Sequence, residues 1–259
     1  MSSGVLPVWW DPAADGPANM AADELLAEEA VRRDGLVIRV YAWSEPTVSL
    51  GAFQPFAEAE ACAAIAGLPI VRRPSGGGAI IHGTDLTYAA AVPKGHPWGG
   101  TPQALYDGLH AAMVDVLRDH GFDARLHAPS ADDPPADALL CFSRRSPGDV
   151  VVRQGDAPAA KVMGSAQRRL GTAVLQHGSL LLSACPRVAD AARHVGLAEL
   201  ARGRVDWTAR SLAERWIAGI AVAGGLTTAE QPAAFAANLG ERAAVRDAHF
   251  RDPRWTGRR

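Results

Sequence analysis

The sequence predicts an α+β fold around one mixed β-sheet. Three observations carry that expectation. Short strand-like runs fill the middle of the chain, helical patterns stand on both sides of them, and the composition supplies a core. The chain has 259 residues, of which 48% are hydrophobic and 21% charged. That is ordinary globular usage, and it argues against a disordered or fibrous protein.

Asn19 to Arg33 reads as the first helix, with Asn19 as its cap and Met20, Leu25, Leu26 and Ala30 on its apolar face. Leu36 to Tyr41 and Thr47 to Leu50 read as strands broken by Glu45-Pro46 and Gly51. Phe56 to Ala66, rich in Ala and Glu, reads as helix. Pro69 to Arg72 is a short strand that runs into a glycine-rich segment, after which Ala79 to His82 and Leu86 to Val92 form a strand pair. Thr101 to His120 is an amphipathic helix, since Leu105, Leu109, Met113, Val116 and Leu117 share one face. Ala128 to Ala138 holds Pro129, Pro134 and Pro135 and reads as a surface loop. Leu139 to Phe142, Asp149 to Arg153, Lys161 to Arg168 and Ala173 to Leu182 read as further strands. From Pro186 the chain is Ala-rich and helical in character, and its last dozen residues read as loosely held. Residues 1–225 form one domain on this reading. Residues 226–259 form a helical or loosely ordered tail, with no accessory domain.

The formal charge of −2 disfavours a nucleic-acid binder, which ordinarily carries a basic excess. Of the 26 basic residues only Lys94 and Lys161 are lysine, so each lysine invites a question. Three scattered cysteines, Cys62, Cys141 and Cys185, make neither a disulfide framework nor a CxxC metal motif, and no metal site is expected. No apolar run approaches the roughly 20 residues of a membrane span. The N-terminus has neither the basic start nor the apolar core of a signal peptide. The expectation is a reduced cytoplasmic protein without membrane contact.

Three segments carry chemistry. Arg72-Arg73-Pro74-Ser75-Gly76-Gly77-Gly78-Ala79 offers three glycines whose backbone N–H groups can converge on an anion, beside two guanidiniums suited to a carboxylate or phosphate. Taken alone, it is equally consistent with a flexible hairpin turn. It is neither a Walker loop nor GxGxxG. Lys161 opens a strand that continues through Gly164, Ser165, Ala166 and Gln167, small enough to line a narrow slot for a thin substrate, and Gln176, His177 and Gly178 follow. A histidine such as His177 is, by itself, more often structural than catalytic. Cys141 lies in the apolar run Leu139-Leu140-Cys141-Phe142, where a lone cysteine is ordinarily a small buried hydrophobe. A nucleophilic role needs a partner that lowers its pKa from about 8.5, and a nearby ammonium would do so.

Together, Asn19 to Glu24, Ser49 to Gln54, Arg72 to His82, Lys161 to Arg168 and Leu175 to Gly178 resemble the lipoate-protein ligase and octanoyltransferase family, within the biotin/lipoyl protein ligase superfamily. The resemblance covers residues 8 to 220. It implies a mixed, largely antiparallel β-sheet flanked by helices, a tunnel for a C8 acyl chain and a surface that receives a lipoyl domain. It implies substrate binding at Arg72, Arg73, Ser75, Gly76, Gly77, Gly78, His82, Gly164, Ser165, Ala166, Gln167, His177 and Gly178. Leu140-Cys141-Phe142 is similar to the Ala-Cys-Phe of cysteine-dependent octanoyltransferases, and Lys161 to the lysine they pair with it, so both are the expected catalytic residues. Ser143 to Asp149 departs from the transferase pattern, and Gly148-Asp149 is similar to a ligase-like pair.

The expected activity is transfer of an octanoyl or lipoyl group to a lysine of a lipoyl-domain protein, from octanoyl-acyl carrier protein through a Cys141 thioester. No cofactor is then needed. The implied partners are the acyl carrier protein and an acceptor such as the glycine-cleavage H protein, and the implied state is a monomer. An ATP-dependent lipoate ligase, with Mg²⁺ and lipoyl-AMP, is the alternative. A non-catalytic protein that binds lipoyl domains is a third.

Overall fold

The computed structural model describes residues 4–131, 133, 138–188, 194–201 and 206–258. In chain order the strands are β1 (Gly4–Trp10), β2 (Val37–Tyr41), β3 (Thr47–Leu50), β4 (Ile70–Arg72), β5 (Ile80–His82), β6 (Asp85–Pro93), β7 (Asp123–Leu126), β8 (Val150–Arg153), β9 (Ala160–Leu170), β10 (Ala173–Leu181) and β11 (Leu226–Glu230). The helices are α1 (Gly16–Arg33), α2 (Phe56–Ala61), α3 (Pro102–Asp119), α4 (Leu197–Leu200), α5 (Ala209–Gly224), α6 (Gly240–Arg251) and α7 (Pro253–Thr256).

An eight-stranded sheet runs in the order β11-β1-β2-β6-β10-β9-β8-β7, and a three-stranded sheet runs β4-β3-β5. Pairing is parallel between β11 and β1 and between β1 and β2, then antiparallel across the rest of the large sheet. The α+β, mixed and largely antiparallel architecture is the expected one. Two cores cover the large sheet. Leu105, Leu109, Met113 and Leu117 of α3 and Trp216 and Ile220 of α5 pack on Val150, Val152, Val162 and Met163. Met20, Leu25 and Leu26 of α1 pack on Val37, Ala89, Ala91 and Leu175.

Several elements differ from expectation for identifiable reasons. The first helix begins at Gly16, because the Asp15 side chain caps it by accepting from the Ala18 N–H. Asn19 lies inside that helix, fully buried, donating to the carbonyls of Ala14 and Ala42. The Phe56 to Ala66 segment is α2 followed by a 3₁₀ turn, Ala63–Ile65. Strand β1 has no counterpart in the sequence reading. The expected proline loop includes residues 132 and 134–137, outside the described residues, as are 189–193 and 202–205 of the expected helical stretch. Among the described residues no helix is long and apolar enough to cross a membrane.

Residues 226–258 form a strand and helices that pack on the rest of the chain. β11 pairs with β1, and Phe250 of α6 is buried in the α1 core. α7 is tied to β4: the Trp255 indole N–H donates to the Arg72 carbonyl at 2.8 Å, and Arg72 Nε donates to the Thr256 carbonyl at 2.8 Å. The Arg72 guanidinium, fully buried, also bridges the carbonyls of Gly51 and Gln54. Arg72 therefore joins three segments at the base of the glycine loop. Arg72→Met leaves those three carbonyls without this donor. At roughly 1–3 kcal/mol per unsatisfied buried group, the loss should reach at least about 3 kcal/mol. Urea unfolding midpoints at unchanged slope measure it.

Candidate active site

The glycine loop follows β4 and is wrapped around the Arg73 side chain. Arg73 Nη2 donates to the carbonyls of Gly76 and Gly78 at 2.8 and 2.7 Å, and Nη1 to the Ser49 carbonyl at 2.6 Å. With those carbonyls turned inward, the N–H groups of Gly76, Gly77 and Gly78 have no partner among the described residues. Gly77 needs its lack of a side chain, since its φ is +88°. Gly51 needs it too, because a Cβ there would lie 2.0 Å from the Gly77 carbonyl oxygen. The expected role for the arginine pair is corrected here. Both guanidiniums are buried and bind backbone carbonyls, so they shape the loop instead of presenting open charge to an anion. Burial pulls Arg73 down to about 10, opposed by the nearby Cys141 sulfur.

The end of the loop holds the cysteine. Ala79 N–H donates to the Leu139 carbonyl and Cys141 N–H to the Ala79 carbonyl, at 2.8 and 2.7 Å. Past this bridge the chain turns. Ser143 N–H donates to the Leu140 carbonyl, and Cys141–Ser143 is a 3₁₀ turn, not the expected strand end. Cys141 is half-buried, while Cys185 is buried in the core under the small sheet.

Lys161 reaches the same place from β9. Its Nζ lies 3.4 Å from Cys141 Sγ and 3.3 Å from the Cys141 carbonyl oxygen. It is also 2.8 Å from Asp149 Oδ2, in an ion pair whose side chains are 3% and 1% exposed. The second Asp149 oxygen accepts from Tyr106 of α3 at 2.8 Å, and Ser146 N–H donates to Oδ2 at 2.6 Å. Burial pushes the Tyr106 phenol far up, with the Asp149 charge adding to it, so Tyr106 remains a donor. Sequence reading singled out Gly148-Asp149 as a ligase-like pair but assigned Asp149 no role. It also missed His194, whose ring lies 5.8 Å from that of Phe142, and which burial and the charge of Lys161 push down to about 4.

A bulge aims the lysine. Val150 and Val151 pair with Met163 and Lys161, which leaves Val162 as an extra residue on β9. Residues three apart on a regular strand face opposite ways; the bulge brings Lys161 and Gly164 to one face. A Cβ on Gly164 would lie 2.6 Å from Lys161 Cε and 2.9 Å from Nζ.

The remaining expected residues divide by face. Arg73, His82, Ala166, His177 and Gly178 line a small chamber with Met20, Tyr41, Trp43 and Ile80. Its volume of about 20 Å³ holds roughly one water, so an acyl chain enters only if side chains move. Ser165 and Gln167 alternate with Gly164 and Ala166 and point to the other face. Ser165 Oγ lies 2.7 Å from both His110 Nε2 and Tyr88 Oη, and Gln167 donates to Gln176. Burial pushes His110 down to about 4. Ser165 and Gln167, expected to contact substrate, here fasten β9 to α3, β6 and β10.

Ser75 and His177 form a chain of hydrogen bonds with Asp23, as Ser49 and His82 do with Asp85. Both resemble serine triads in connectivity, but Ser75 and Ser49 are 0% and 1% exposed. Burial raises the Asp85 carboxyl, and the His82 charge with hydrogen bonds from His82, Ser179 and Thr87 outweighs it, holding it at about 2. Among the described residues no group of three or more metal-ligating side chains occurs.

A mixed sheet that presents a cysteine, a lysine and a glycine loop at one point defines a catalytic domain of the lipoate-ligase type. The fold agrees with solved structures. One is a lipoate-protein ligase A bound with ATP, with TM-score 0.67, 19% identity, and coverage of 98% of this chain and 96% of that one. Another is the bipartite lipoate protein ligase and E2 lipoyl domain system of Thermoplasma acidophilum, with TM-score 0.64, 18% identity, and coverage of 99% and 97%. The chain belongs to the lipoyl protein ligase A/B catalytic domain family, which matches residues 15–222. Octanoyltransferase LipM of Anoxybacillus flavithermus is 35% identical over 175 residues, 63% of this chain and 60% of that protein. Octanoyltransferase LipM of Carboxydothermus hydrogenoformans is 35% identical over 176 residues, 64% and 61%. The chain thus spans about 60% of the length of these relatives.

Gly164→Ala should leave β9 in place, because the added methyl meets the side chains of Lys161 and Asp149 and no backbone atom. It should displace Lys161 from Asp149 and Cys141 and lower acyl transfer at least about tenfold, the equivalent of roughly 1.4 kcal/mol. Melting temperature and transfer rate, measured on the same sample, check both halves.

Proposed function

We propose that this chain transfers an octanoyl or lipoyl group from an acyl carrier protein to a lysine of a lipoyl-domain protein, through a thioester on Cys141. The observation that carries this reading is the 3.4 Å contact between Lys161 Nζ and Cys141 Sγ at the end of the glycine loop. The octanoyltransferase relatives support acyl transfer as the reaction class. The Thermoplasma ligase, described with its E2 lipoyl domain, supports the acceptor class, of which the glycine-cleavage H protein is one member.

The Cys141 thiolate, paired with the Lys161 ammonium, attacks the donor thioester carbonyl. N–H groups of Gly76 to Gly78 receive the oxyanion, at about 3 kcal/mol per well-placed donor. The carbon–sulfur bond to the carrier breaks, and the carrier sulfur leaves with the proton that Cys141 gave up. The acceptor lysine amine then attacks the acyl-enzyme. An amide bond forms, the bond to Cys141 breaks, and the proton lost by the amine restores the thiol. Lys161 is the conduit for these protons. Paired with Asp149 and in contact with the sulfur, it can give a proton to the departing carrier sulfur and then take one from the acceptor amine. The thioester keeps the acyl group activated, so neither nucleotide nor metal is required. The proposal includes a monomeric enzyme that works in the cytoplasm with its carrier and acceptor.

An ATP-dependent ligase would call on Arg72 and Arg73 for the phosphate of lipoyl-AMP. Their engagement with backbone carbonyls favours the transferase reading. A purely binding protein has no use for the buried ion pair at the sulfur. Incubated with octanoyl carrier protein, the intact chain should gain one octanoyl mass, and Cys141→Ala should gain none and transfer nothing. An adduct on Cys141→Ala would refute Cys141 as the nucleophile. Pyrophosphate release from free lipoate and ATP would establish the ligase.

A further inference from the structure

A second and wider cleft opens along the β7 edge of the large sheet. It has a volume of about 870 Å³, within the range of small-molecule sites, and its lining includes Arg125, His127, Arg145, Val151, Arg153 and Asp156. Arg125 and Arg153 are exposed, and Arg145 is half-buried. The neighbouring acidic groups are Asp156 in the lining and Asp133, which lies 2.8 Å from His127 and 3.6 Å from Arg145. Three guanidiniums in one cleft of a chain with net charge −2 are a local concentration of positive charge.

The register connects this cleft to the cysteine. Arg125 pairs with Val151, and Val151 with Lys161, across three adjacent strands. Directly opposed residues share a face, and so does Arg153, two positions beyond Val151. Lys161 and the two exposed arginines therefore stand on one face. At about 4.8 Å per strand, the Arg125 backbone is about 10 Å from that of Lys161. Arg145 follows Cys141 by four residues on the same turn-containing segment. The cleft is too polar and too wide for an alkyl chain. Guanidinium groups in this number suit phosphate, which they bind through paired, charge-assisted hydrogen bonds.

We propose that this cleft binds the phosphate end of the donor's pantetheine arm, with the arm crossing strand β8 so that its thioester meets Cys141. The proposal rests on the transferase reading, because carrier-bound acyl groups hang on an arm that ends in phosphate. It assigns donor recognition to Arg125 and Arg153, with Arg145 held at the cleft wall by the Ala159 carbonyl and Asp133, apart from the small chamber and the glycine loop.

The test compares octanoyl-4′-phosphopantetheine with octanoyl-pantetheine as acyl donors to the intact protein, read as the rate of acyl-enzyme formation by mass. The unaltered protein should prefer the phosphorylated donor by at least about tenfold in kcat/KM, and Arg125→Ala with Arg153→Ala should erase that preference. General damage to the fold would slow both donors and leave the ratio intact, which overturns the proposal, as does a ratio near one in the unaltered protein. If neither donor acylates Cys141, the transferase reading fails, and calorimetry with 4′-phosphopantetheine decides the cleft. Binding lost in the double variant supports it, and no binding in the unaltered protein refutes it.

Discussion

The site depends on one ammonium group held between a carboxylate and a sulfur. Lys161 Nζ lies 2.8 Å from Asp149 and 3.4 Å from Cys141. A buried lysine without a carboxylate would be costly to keep charged. Asp149 removes that cost, and it is itself stabilised by Tyr106 and by the Ser146 N–H. The fold therefore places this ion pair at the point where negative charge forms on sulfur.

Much of the architecture serves that placement. The bulge at Val162 turns Lys161 toward Gly164, whose missing side chain leaves room for the lysine stem. The Ala79 bridge fastens Cys141 to the glycine loop, and Arg73 fills the loop from inside. Arg72 anchors the loop's base to α7 and the Gly51 turn, so the C-terminal segment supports a site far from it in sequence. Behind the site, the Asp23 carboxylate joins Arg39, Tyr41 and His177, a buried network that locks β2 and β10 to α1.

The large elements were legible because their signals are local: the period of α3, the β-rich middle, the breaks at glycine and proline. The pairing of Cys141 with Lys161 could be read only through resemblance, since nothing in the spacing of residues 141 and 161 requires contact. Asp149 was passed over as a chemical group because a single carboxylate at a strand end looks like a turn residue. What Ser165 and Gln167 contact is not legible in sequence for another reason. Periodicity gives the alternation along a strand but not which side becomes the substrate side, and the bulge resets that alternation between Lys161 and Gly164. The helical half of the tail's reading agrees with α6 and α7, whereas β11 has no local signal because Leu226–Glu230 is a short, mostly exposed edge strand that pairs with residues more than 200 positions away.

The most direct test of this account is the rate at which Cys141 is alkylated by iodoacetamide at neutral pH, with and without the lysine. The fixed ammonium should make the sulfur reactive, so Lys161→Met should slow alkylation at least about tenfold while Cys62 and Cys185 react as before. Equal rates for Cys141 in the two proteins would contradict the account.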